Sequence, residues 1–160
     1  MKKYFVAVLV VLLLVTTAGF NAVRIVENDV AYPEGYRHWT HVKSGFLGPA
    51  HSNVKYRGFN HTYANDAAVN GYETGKFPEG SVIVVDIIEA VAGDNYSSES
   101  KRHHMDVMQK DSTRFKSTGG WGYGQFESDN SPRMLTIEQK TTCYNCHLKQ
   151  EDHVFSALRK

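Results

Sequence analysis

Apolar and polar residues alternate at two different periods along this chain, and the changes of period mark its elements. SVIVVDIIEAVA (81–92) is a nearly unbroken β-branched run between two turn-rich stretches, FPEG and GDNYSSES, and predicts the strongest strand. HHMDVMQK (103–110) alternates strictly, which suits a strand with one buried face. YRHWTHVKS (36–44) is aromatic and β-branched and predicts a first strand. NHTYAN predicts a short second one, and the glycine-interleaved STGGWGYGQFES a later one. SGFLGPAHSNVKYRGF and GDNYSSES carry the glycine, proline, asparagine and serine of loops. Helical patterning is confined to few places. NDAAVNGYETG predicts a helix capped by Asp66 and ended by Gly75 in a left-handed conformation. KDSTRF predicts a short capped helical turn, and residues 143–159 a C-terminal helix capped by Thr141 or Thr142. The sum is an α+β fold, a mostly antiparallel sheet with few helices.

The first residues obey neither period. MKKYFVAVLVVLLLVTTAGFNAV opens with two lysines, runs apolar from Phe5 to Val15, and continues into small residues. That is the layout of a secretory signal, with Thr16 and Ala18 at the small positions of a cut after Ala18. The alternative is an uncleaved anchor, since no charge stands between Lys3 and Arg24. The expected organisation is a signal peptide or anchor over 1–18, a linker over 19–31 and one domain over 32–160, exported to the periplasm. A chain of 160 residues accommodates one such domain, and a net charge of +1 leaves no basic footprint for a nucleic-acid partner.

Export sharpens the question of Cys143 and Cys146, the only cysteines in the sequence, which stand in CYNCH with His147 beside them. A disulfide there would close almost no loop and stabilise little. A zinc site would need four ligands in a tetrahedron, and Cys146 and His147 are awkward neighbours for one ion. A thioredoxin-like pair would open a helix after a strand, whereas this pair lies near the end of the chain. C-x-x-C-H is the attachment motif of haem c. Its spacing lets two thiols on one helical turn form thioethers with one haem, while the adjacent imidazole becomes an axial ligand. One covalent haem c is therefore expected, with Cys143 and Cys146 as its attachment residues and His147 as the proximal iron ligand. The sixth position decides between an electron carrier and an open site. His38, His41, His51, His61, His103, His104, His153, Met105, Met108 and Met134 are all candidates to reach it.

With those motifs in hand, the chain resembles the cytochrome P460 family, whose fold is shared by the cytochromes c′-β. The resemblance is carried by YPEGYRHWTHVKS, GKFPEGSVIVVD, KDSTRF followed by TGGWGYGQF, and CYNCH followed by VFSALR, in that order. It implies a sheet-dominated haem protein, usually a homodimer, with a five-coordinate haem held by a C-terminal C-x-x-C-H. Cytochromes P460 oxidise hydroxylamine and carry a lysine cross-linked to the porphyrin. The c′-β members lack that bond and bind nitric oxide and similar ligands. The cross-linking position, five residues after the turn glycine Gly80, is Val85 here, which moves the expectation towards ligand binding. A distal carboxylate used by some P460 members falls on Asp106, with a solvent-facing position on the half-exposed strand as the plain alternative. His61 is the next polar candidate for the pocket, and Phe59 and Phe77 are candidate walls. The leading expectation is a monohaem cytochrome with a distal site open to nitric oxide or a related nitrogen species. Hydroxylamine oxidation, with Asp106 as base and His61 assisting, is the alternative. A plain carrier serving a redox partner cytochrome is the third.

Overall fold

The computed structural model describes residues 25–26 and 30–159. The expected signal peptide and most of the linker lie outside them. Among the described residues no helix is long and apolar enough to cross a membrane.

Five strands form an antiparallel sheet in the order β2 (Thr40–Leu47), β3 (Gly58–Ala64), β4 (Val82–Ala92), β5 (Ser97–Lys110) and β6 (Trp121–Glu127). A separate pair joins β1 (Ile25–Val26) to β7 (Leu135–Thr136). The helices are α1 (Asp66–Thr74) and α2 (Ile137–His147). This is the sheet-dominated α+β architecture that the alternation predicts.

Period-2 alternation gives the sheet two distinct faces. On one, the rows Ala64, Ile83, Met108, Tyr123 and Thr62, Val85, Asp106, Gln125 run across β3 to β6. Ala68 of α1, Phe77, Trp121, and Cys143 and Tyr144 of α2 pack with the first of these rows. On the other face Val84, Met105, Val107, Phe115 and Phe126 pack with Val30 and Tyr36. Burial of each such side chain contributes about 1.5–3 kcal/mol, so both faces hold the sheet. Asp86 on this second face is buried, but it accepts from the Tyr36 hydroxyl (2.5 Å), Arg102 Nε (2.8 Å) and Arg37 Nη2 (2.7 Å). Those bonds offset the cost of burying its charge.

Several predicted boundaries move, among them β6, which starts at Trp121 rather than Ser117, and β2, which runs on to Leu47. Gly35, at φ 69°, turns the chain into a 3-10 turn at Tyr36–His38, so β2 starts only at Thr40. Asn65 rather than Asp66 caps α1, accepting from Ala68 N at 3.0 Å, while Gly75 ends the helix at φ 78° as expected. The polar stretch GDNYSSES is only partly loop, because β5 begins at Ser97 and pairs outward from the core with Ala90–Ala92. The C-terminal helix begins and ends earlier than expected: α2 runs from Ile137 to His147. Thr136 caps it through a reciprocal box with Gln139, and the Thr141 and Thr142 hydroxyls instead bond back to the carbonyls of Ile137 and Glu138.

Candidate functional site

CYNCH forms the last turn of α2. Cys143 and Cys146 are three residues apart on the helix, which sets them on one face. Both are free thiols, the first half-buried and the second exposed. Burial holds the Cys143 thiol above its ordinary value, the opposite of what a redox-active pair requires.

His147 closes the helix and is gripped on three sides. Its ring lies 5.2 Å from that of Tyr123 and 4.8 Å from that of Phe155, centre to centre. Its Nδ1 is 2.7 Å from the carbonyl of His153, so Nδ1 carries the proton and donates it. Nε2 is then the bare nitrogen. Two uncommitted thiols one turn apart, and an imidazole whose tautomer leaves Nε2 free, are the donor set that the attachment motif asks for. The residues present therefore fit a covalently held haem. Among the described residues no three His, Cys, Asp or Glu side chains converge on a bare metal ion.

Facing α2 from the sheet is a polar group that packing alone does not explain. Asp106 is 24% exposed in its side chain and accepts on both oxygens, from the Tyr56 hydroxyl at 2.6 Å and from Gln125 Nε2 at 2.5 Å. Burial and the neighbouring carboxylate hold the Tyr56 phenol protonated, with its pKa well above the usual range, so it can only donate. The negative charge of Asp106 also acts on Cys143 and on His147, and those of the two cysteines would act on Tyr56. His104, fully buried in the next row, has Nδ1 2.7 Å from Nδ1 of His103 and Nε2 without a hydrogen-bond partner, 3.5 Å from Asp106 Oδ1. Burial pushes its pKa down to about 4, so the ring is neutral at pH 7. The buried Tyr123 hydroxyl is likewise unpartnered. An orphaned buried polar atom costs about 1–3 kcal/mol, so two of them on the face that meets α2 mark a surface built to meet something polar.

Asp106 thus lies near enough to Cys143 and His147 for its charge to act on both, with its side chain 24% exposed. Val85 is its partner in register on β4 and lies on the same face. His61 is not part of this group. It pairs in register with Asp86 on the other face, where it bonds to Ser44 Oγ at 2.8 Å and Glu99 Oε1 at 2.6 Å. The alternation of β3 decides this, since Thr62, its neighbour, is the residue facing the site. Phe59 is two positions from His61 and shares its face, while Phe77 packs on the α2 side against Tyr72 and Trp121. His104 is among the histidines that the sequence offers for the sixth position, whereas Tyr56, Tyr123 and Gln125 have no place in the sequence-based expectation for the pocket. Gln125 and Tyr123 are readable from the W-G-Y-G-Q alternation, whereas Tyr56 comes from a 3-10 turn with no periodic signal.

No curated protein matches the chain. The family model described as cytochrome P460 matches residues 33–156, a span that includes the sheet, α2 and every side chain of the group around Asp106. A haem cofactor goes with that family. The chain belongs to the cytochrome P460 family and is a c-type cytochrome of that type.

Proposed function

We propose that this protein is an exported monohaem cytochrome that binds nitric oxide or a related small nitrogen ligand at an open coordination position. Cys143 and Cys146 hold the haem by thioether bonds, and His147 Nε2 holds its iron. When bound, the haem supplies an iron centre able to take a diatomic ligand or pass an electron. The chain does the rest. The His153 carbonyl orients the imidazole, and Tyr123 and Phe155 confine it.

Val85 is the observation that carries this reading. The resemblance expects a cross-linking lysine at that position, and the chain offers valine, side by side with Asp106. A branched apolar side chain can form no bond to a porphyrin and leaves it chemically ordinary. Titration of the dithionite-reduced protein with nitric oxide tests the reading. A stoichiometric spectral change at one ligand per haem supports it, and an unchanged spectrum rejects it.

Asp106 favours a second reading, hydroxylamine oxidation. Fixed by Tyr56 and Gln125, its carboxylate is suited to take a proton from a substrate N–H or O–H as electrons pass to an external acceptor. Loss of such a base lowers turnover by about 10²–10⁴-fold. Hydroxylamine turnover that drops in Asp106→Ala supports the second reading, turnover that survives removes Asp106 from the role, and no turnover in the wild type removes the reading. The homodimer implied by the resemblance belongs to the same proposal and is read by sedimentation of the holoprotein.

A further inference from the structure

We propose that Asp152 is a positioning residue for the His147 imidazole, acting through the backbone of the loop that follows α2. The inference rests on His147 being the iron ligand, and goes beyond it by naming what fixes that ligand.

Among the described residues, the hydrogen bond of the His147 imidazole is the Nδ1–H bond to the His153 carbonyl, 2.7 Å long. That carbonyl is not held by regular structure. Asp152 and His153 both have positive φ, 39° and 65°, in succession. Neither is glycine, so each occupies a conformation that L-residues avoid and that persists only when the surroundings enforce it. Asp152 supplies the enforcement. Its Oδ2 accepts from the backbone N–H of Phe77 at 2.8 Å. Its Oδ1 accepts from Lys110 Nζ at 2.7 Å and from Trp121 Nε1 at 3.4 Å. These donors come from the loop after α1, the end of β5 and the start of β6, so a single carboxylate ties the loop to three parts of the scaffold.

Gly119 makes room for the His153 ring in the same turn. A Cβ added there would lie 2.3 Å from His153 Nε2, and its own φ of 66° also disfavours a side chain. The His153 ring rests edge-on against Tyr144 of α2, at 5.5 Å. Asp152 pulls the loop inward and Gly119 admits it, and the position of the His153 carbonyl follows from both. A carbonyl that accepts from Nδ1 makes Nε2 a stronger donor to a metal, so this clamp tunes the ligand as well as aiming it.

The test is resonance Raman spectroscopy of the ferrous holoprotein, read at the iron–histidine stretch, with the urea midpoint measured alongside. Asp152→Asn keeps the shape and removes the charge that holds Lys110. Gly119→Ala keeps Asp152 and displaces His153. The expected result is a downward shift of the stretch in both variants, because both weaken the Nδ1–H bond. A stretch unmoved in both, with only the urea midpoint lowered, overturns the proposal and leaves Asp152 a stabilising residue. A wild-type protein with no iron–histidine stretch would reject a five-coordinate iron held by His147, a failure separable from that of the clamp.

Discussion

At the scale of single residues, the site is set apart by polar atoms placed where packing would prefer none. His104 is the sharpest case. It is fully buried and neutral, with a pKa pushed down to about 4 by burial, against the opposing pull of Asp106 and together with Lys55, His103 and Arg133. In the unfolded chain it titrates near the ordinary histidine value, so between about pH 6.5 and 4 the unfolded state binds a proton that the folded state refuses. Stability is therefore unaffected by His104 above that window and falls as pH drops through it, by about 3 kcal/mol in total. Urea unfolding of the wild type and His104→Gln across this range checks the sign: the substitution flattens the slope. The Tyr56–Asp106 bond makes a second prediction at this scale. Tyr56→Phe removes a hydrogen bond to a charged group and lowers stability by about 1.5–3 kcal/mol at neutral pH. Equilibrium unfolding measures it, and a change below a few tenths of a kcal/mol would mean that water replaces the phenol without loss.

At the scale of elements, α2 is the part on which the site depends, and its stability is local. It is short, none of its residues is fully buried, and its start is fixed by the Thr136–Gln139 box. Thr136→Ala leaves the Gln139 N–H without its acceptor and is expected to cost about 1 kcal/mol. The urea midpoint reads that loss, and Thr141→Ala, whose hydroxyl only bonds back along the helix, serves as the comparison with a smaller effect. The same pair explains why the helix was misplaced from sequence. Thr141 and Thr142 stand just before the cysteines and look like caps, but the signal with a mechanism was T-I-E-Q at 136–139, a threonine followed three residues later by a glutamine. β4 is the most legible strand because its periodicity is strong: it differs from expectation by one residue, whereas β6 starts at Trp121, four residues after the expected Ser117. The first strand was misjudged because aromatic content says nothing about Gly35, whose left-handed turn folds Tyr36 inward to Asp86.

At the scale of the molecule, the fold class was legible in the alternation of the strands, while the sheet supplied what spacing could not. Cys143, Cys146 and His147 are legible because their chemistry depends on local spacing along one helical turn. Asp106 was legible as a candidate, but its direction was not: a half-buried alternating strand offers two faces, and only the covering of one face by α2 decides which matters. His61 went to the other face by the same rule. His104 shares the face of Asp106 by the period-2 alternation of β5, whereas Tyr56 reaches the site from a 3-10 turn that no periodic pattern records. The account as a whole stands on an ordinary haem, joined at Cys143 and Cys146, with His147 on the iron and Val85 unable to modify the porphyrin. The absorption spectrum of the matured protein, ferric and then reduced with dithionite, tests it most directly. High-spin haem c bands in both states are the expected result. A low-spin spectrum would place a sixth protein ligand on the iron, and strongly red-shifted reduced bands would reveal a modified porphyrin; either contradicts the account.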